Sequence, residues 1–153
     1  MNIENRIKEL GLEIPDVVAP MANYVTVQRT GNLLFFSGAG PMKDGKPLYV
    51  GRVGAELSIE EGYAAAREVA LVLLAAMKRY IQDLDKVVQI VKLLAFVRCT
   101  EDFGDQPAVV NGASDLFVAV FGDKGRHARS AIGTNALPMC IPVEIEMIVQ
   151  VEE

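Results

Sequence analysis

Apolar residues recur at helical spacing in two long stretches of the chain, and elsewhere they alternate or cluster in short runs. Between 58 and 82, Ala66, Val69, Ala70, Leu73, Leu74, Met77 and Ile81 form one stripe, the pattern of a helix that buries a single face. Ser58 with Glu61 three residues on fits a capping box and sets the start. Leu84-Asp85-Lys86 breaks the pattern. A second long helix is predicted over 106–121, with Val109, Val110, Ala113, Leu116, Phe117 and Val120 inside and Gly122-Asp123-Lys124-Gly125 closing it. A short helix over 3–11 follows from Ile3, Ile7 and Leu10, with Gly11 to end it.

The remaining runs predict strands. Residues 24–29 alternate and are β-branched, Thr30-Gly31-Asn32 is turn chemistry, and 33–37 read as the returning strand. Gly38-Ala39-Gly40-Pro41 is a stretch whose backbone can approach a ligand closely. Lys43-Asp44-Gly45-Lys46 signals a hairpin turn, with a short strand at 47–50 to follow. Residues 87–98 are the longest strand candidate and are apolar on both faces, which predicts a central strand covered twice. Two more strands are expected at 127–135 and 142–151, joined by 137–141, a loop that could close a hairpin. The pattern predicts an α+β fold, a mixed sheet covered on one face by two helices. The second sheet face is apolar too and calls for a partner.

Bulk properties narrow the function. The 153 residues suggest one domain over 1–153, with 1–20 a helical extension at its N-terminus. Apolar residues make up 51% and charged residues 23%, as in a globular protein. The net charge of −5, without a basic block, argues against a nucleic-acid groove. No apolar run approaches the ~18 residues of a membrane span, and the charged first residues do not resemble a signal peptide. A cytoplasmic, reducing location is expected. Cys99 and Cys140 lack metal-site or disulfide spacing and read as packed thiols, and His127 stands alone. No metal or cofactor is expected. A mean hydropathy of +0.26 suggests that some apolar surface closes a subunit interface.

The chemistry concentrates near the end of the chain. Arg129 lies in a strand-like stretch, and Glu144 follows fifteen residues later in another. An arginine can clamp a carboxylate through two parallel hydrogen bonds, and a glutamate can hold or activate water. A structural salt bridge is the plainer reading of either group. In a simple hairpin Arg129 would pair near Val149 or Gln150, leaving Glu144 roughly 17–20 Å along the strand. The two would then serve one small substrate from different subunits, or through a bulge or offset register. His127 is placed on the strand face of Arg129, and Glu146 on that of Glu144.

From Tyr24 onward the chain resembles the RidA/YjgF family, whose members are known as imine deaminases or as endoribonucleases. The matching pieces are Tyr24 thirteen residues before Ser37-Gly38, then Pro41, Asn111, Ala128-Arg129-Ser130, Leu137-Pro138 and Val143-Glu144-Ile145-Glu146. The chain departs from the family pattern at Ala39, at Ala131 and at Arg126-His127, as a divergent branch would. The resemblance implies a chorismate-mutase-like fold and a homotrimer with ligand pockets between subunits. It implies hydrolysis of 2-imino or enamine acids to 2-oxo acids and ammonia without a cofactor. In that chemistry Arg129 would hold the substrate carboxylate and Glu144 the water. The Ala131 carbonyl would meet the imine nitrogen, and Tyr24, Ser37 and Asn111 would shape the pocket. The alternative is a trimer that binds small carboxylates without turnover.

Overall fold

The computed structural model describes residues 2–17, 19–20 and 22–153; Met1 and Val18, within the predicted extension, lie outside them. Three helices, α1 (Ile3–Glu9), α2 (Ile59–Ile81) and α3 (Gln106–Phe121), accompany seven strands: β1 (Val27–Thr30), β2 (Leu33–Ala39), β3 (Met42–Lys43), β4 (Lys46–Pro47), β5 (Val87–Arg98), β6 (Ala128–Thr134) and β7 (Val143–Val151). The fold is the mixed α+β arrangement expected. The capping box is present on both sides: Ser58 Oγ accepts from the Glu61 N–H at 3.1 Å, and Glu61 Oε1 accepts from the Ser58 N–H at 3.3 Å. Lys43 pairs with Lys46 across Asp44 and Gly45, whose φ angles of 52° and 76° are those a tight hairpin turn needs. Beyond Pro47 the predicted strand at 47–50 does not continue.

The main sheet has the order β1-β2-β7-β5-β6. α2 and α3 lie on one face, over Leu34, Phe36, Leu93, Ala95, Val97, Val143, Ile145, Met147 and Val149, all buried. The helices themselves approach closely at Gly112, where an added Cβ would stand 2.0 Å from the Tyr63 carbonyl oxygen. α1 docks outside this layer. Its buried Ile3 and Ile7 face inward, Arg6 Nε donates to the Ala119 carbonyl at 3.0 Å, and Lys78 pairs with Glu4 at 2.9 Å.

The predicted hairpin of the last two strands does not form. β6 runs parallel to β5 at the sheet edge, while β7 inserts between β2 and β5, antiparallel to both. Residues 135–142 make this possible by crossing the end of β5. Arg98 pins the crossing there, its backbone N–H on the Pro142 carbonyl and its guanidinium on the Cys140 carbonyl. Met139 and Cys140 take the turn at φ 54° and 58°, a left-handed geometry uncommon for residues other than glycine. Cys140 is therefore exposed, not packed as expected, whereas Cys99 is buried.

β5 is an interior strand, between β7 and the edge strand β6, but the middle place belongs to β7, and β5 is covered on one face only. Its other side carries Val88, Leu94 and Phe96, exposed or half-buried, beside Phe35 on β2 and Ile132 on β6, which are 41% and 45% exposed. Among the described residues no helix is long and apolar enough to cross a membrane.

Candidate functional site

The register puts the two expected catalytic groups on opposite faces of the sheet. Arg129 stands level with Leu93, and Leu93 with Met147, both buried beneath the helices. Glu144 alternates with the buried Val143 and Ile145, so its Cβ points to the uncovered face. Two strand spacings and three residues separate their Cα atoms, roughly 14 Å. The sequence-based distance assumed a hairpin that does not exist. The separation it implied persists for a different reason, since β5 lies between the two strands.

Glu144 belongs to a cavity of about 360 Å³. The cavity runs from Val72 and Ala76 on α2, past the end of β2, to Glu144, with Tyr24, Ser37, Gly38 and Met139 along its wall. A bulge opens it: the pairing of β2 with β7 slips between Phe36 and Ala39, leaving Ser37 and Gly38 out of the ladder. Gly38 has no side chain to fill the gap, and a Cβ there would stand 2.9 Å from the Glu144 carboxyl carbon. Ser37 ties the bulge to the segment before β1, its N–H on the Thr26 carbonyl and its Oγ donating to the Val25 carbonyl at 2.6 Å. That segment delivers Tyr24, 54% exposed, to the rim. Burial raises the Glu144 pKa above the ordinary carboxylate value, and the neighbouring Glu146 charge adds to the rise.

Arg129 lies at the other sheet edge, against α3. Its guanidinium donates to Ser114 Oγ at 3.1 Å and to the Pro107 carbonyl at 3.3 Å. His127 closes the cluster, with Nε2 at 2.8 Å from the same Ser114 Oγ and Nδ1 at 2.6 Å from the Gly125 carbonyl. The Phe117 ring meets the imidazole edge-on at 6.4 Å. Asn111 sits on the α3 face of Pro107 and Ser114, one turn from each, and is exposed. Ala131, on β6, is level with the buried Ala95 of β5, and among the described residues no strand lies beside the outer edge of β6.

The six expected site residues thus fall into two groups. Tyr24, Ser37 and Glu144 share the cavity. Arg129, Asn111 and Ala131 share the β6 edge. Ser114 and the Pro107 carbonyl escaped the sequence reading, although Pro107, Asn111 and Ser114 form a polar line at helical spacing opposite the apolar stripe of α3. Among the described residues no group of His, Cys, Asp and Glu is placed to hold a metal ion.

The fold recurs in known proteins. Residues 4–149 match the family described as "YjgF/chorismate mutase-like, putative endoribonuclease". The chain is 41% identical to Protein TCP17 of Trypanosoma cruzi over 145 residues, covering 94% of this chain and 91% of that one. The crystal structure of Atu1372 from Agrobacterium tumefaciens superposes with a TM-score of 0.91 at 41% identity, over 98% of this chain and 92% of that one. A structure from Shewanella oneidensis described as a "putative endoribonuclease" gives 0.95 at 32% identity, over 99% and 100%. The chain belongs to the YjgF/chorismate mutase-like family.

Proposed function

We propose that the protein hydrolyses reactive 2-imino or enamine acids to 2-oxo acids and ammonia, in pockets built between copies of a homotrimer. The observation that carries the reading is the division of the site. A fixed cation stands at the β6 edge, and a carboxylate with no partner among the described residues stands in a cavity at the end of β2, toward the opposite edge of the sheet. One copy cannot bring them to one small molecule. Two neighbouring copies can, the β6 edge of one meeting the cavity of the next. The apolar uncovered face, with Phe35, Phe96 and Ile132, supports such packing.

In the shared pocket Arg129 takes the substrate carboxylate, a charge-assisted contact of about 1.5–3 kcal/mol. Glu144 holds water against the imine carbon and accepts its proton as the C–O bond forms. Its raised pKa makes it a stronger base than an ordinary carboxylate. The Ala131 carbonyl receives the imine N–H. Tyr24 and Ser37 order the cavity wall, and Asn111 borders the cation. The net charge of −5 and the lack of a basic aromatic stripe speak against RNA as substrate.

The test couples an amino-acid dehydratase to semicarbazide, which traps free imine. The protein should suppress semicarbazone formation, and Arg129→Ala and Glu144→Gln should abolish the suppression. Unchanged semicarbazone with wild-type protein sinks the deaminase. If calorimetry then finds 2-oxo acids bound in an Arg129-dependent way, the protein captures carboxylates without turnover. Sedimentation that returns a monomer at assay concentrations removes the shared pocket.

A further inference from the structure

The hydrogen bonds around Ser114 have a direction that the distances and donor chemistry fix. The Gly125 carbonyl can only accept, so Nδ1 of His127 carries a proton. In the neutral ring Nε2 is then a lone pair, and the Ser114 hydroxyl must donate to it. The Arg129 guanidinium can only donate, so it donates to the same Ser114 oxygen. The chain runs from Arg129 to Ser114 to His127 to Gly125. In this state the one proton of Ser114 is committed to the imidazole and points away from anything Arg129 might hold.

A second proton on the imidazole reverses one link. Nε2–H then donates to Ser114 Oγ, which accepts from both His127 and Arg129, and the hydroxyl proton is freed. We propose that His127 is a proton-linked positioning residue for the Arg129 anion site: binding a small carboxylate at Arg129 takes up one proton at His127 and turns the Ser114 hydroxyl toward the carboxylate. The proton comes from solvent, and no covalent bond changes. This inference rests on the reading of Arg129 as a carboxylate clamp and adds to it the residues that tune it.

The surroundings favour such a switch. His127 is packed between α3, the Gly122–Gly125 turn and the start of β6. Burial lowers its pKa in the free protein, the Gly125 carbonyl works against this, and the Arg129 charge lowers it further. A bound carboxylate neutralises the charge of Arg129 and so favours the imidazolium. The other charges nearby are engaged elsewhere. Asp115 on α3 accepts from Tyr63, Asp123 pairs with Arg126, Lys124 donates to the Val87 carbonyl, and Lys92 on β5 belongs to the uncovered face beside Ala128.

The chain has one histidine, so its imidazole can be followed alone by NMR in the intact protein. The probe is 2-oxobutanoate, whose carboxylate stays ionised from pH 5 to 8. Saturating probe should raise the His127 pKa by about one unit, and the probe should bind several-fold more tightly at pH 5.5 than at pH 8, about tenfold being the limit reached below both pKa values. Ser114→Ala should shrink the probe-induced shift of the imidazole to the part carried by the Arg129 charge, and His127→Gln should remove the His127-linked pH dependence of binding altogether. The signal reports His127 itself, so a proton taken up at Glu144 is not mistaken for it. Arg129-dependent binding with an unmoved imidazole pKa overturns the switch and leaves the clamp standing. No binding at any pH between 5 and 8 overturns both.

Discussion

The two halves of the site are built on opposite principles. At the β6 edge Arg129 is held in place before any ligand arrives, by Ser114 Oγ and the Pro107 carbonyl. Neither partner is charged, so the guanidinium is oriented but not neutralised, and it keeps its full attraction for an anion. In the cavity Glu144 has the reverse treatment. It is half-buried, it stands beside a like charge at Glu146, and among the described residues no hydrogen bond offsets the rise in its pKa. One half is a preorganised binding group, and the other is a carboxylate kept reactive by its surroundings. The difference assigns recognition to the first and proton transfer to the second.

Variants that break one half at a time sharpen this division. The largest effect is expected from Glu144→Gln, which keeps the shape and removes the base: imine hydrolysis should fall about 100–10,000-fold. Affinity for 2-oxobutanoate, read by calorimetry, should stay within about threefold. Arg129→Lys should do the opposite. It retains the charge but loses the planar fork and the paired contacts with Ser114 and Pro107, so affinity should drop about 10–100-fold. If the two variants lose affinity and turnover in the same proportion, the halves do not have separate roles. Gly38→Ala is a smaller intrusion on the cavity side. The new Cβ meets the far end of the Glu144 side chain at 2.9 Å, which can swing away at little cost in stability. Turnover should fall about tenfold through the misplaced carboxylate, while the melting temperature stays near that of the wild type.

The sequence shows most clearly what neighbours along the chain decide. The capping box at Ser58, the apolar stripes of α2 and α3, and the turn at Asp44-Gly45 are local signals, and each marks an element that forms. The path of β7 is not local. It depends on residues 135–142 crossing the end of β5 instead of turning back beside β6, and the backbone and guanidinium hydrogen bonds of Arg98 that hold this crossing cannot be seen in a linear pattern. The same limit applies to the site. Arg129 and Glu144 stand out as charges within strand-like runs, whereas Ser114 looks like any polar helix position until β6 brings Arg129 and His127 against it. The bulge at Ser37-Gly38 is foreshadowed only by its glycines. That it admits Glu144 depends on the register of β2 against β7.

The smallest effect tests the cavity half through stability alone. The folded-state pKa of Glu144 lies above its value in the unfolded chain, because burial and Glu146 disfavour the charged form. The native state therefore binds the proton more tightly than the unfolded state does. The stabilisation from this proton is fully present below the unfolded pKa and is lost as pH rises through the folded one. Above the folded pKa the wild type carries a charged, half-buried carboxylate that a glutamine does not. The melting temperature of Glu144→Gln relative to wild type should thus rise as pH goes from 4 to 7 and level off above the folded pKa. Half-exposure and solvent screening keep the gain small. Arg129→Lys should show no such trend, since it leaves the Glu144 carboxylate and its surroundings unchanged. A Glu144→Gln difference that is flat with pH would mean that the carboxylate already has a partner, in the next copy or in solvent, and that the cavity does not hold it in a strained, reactive state.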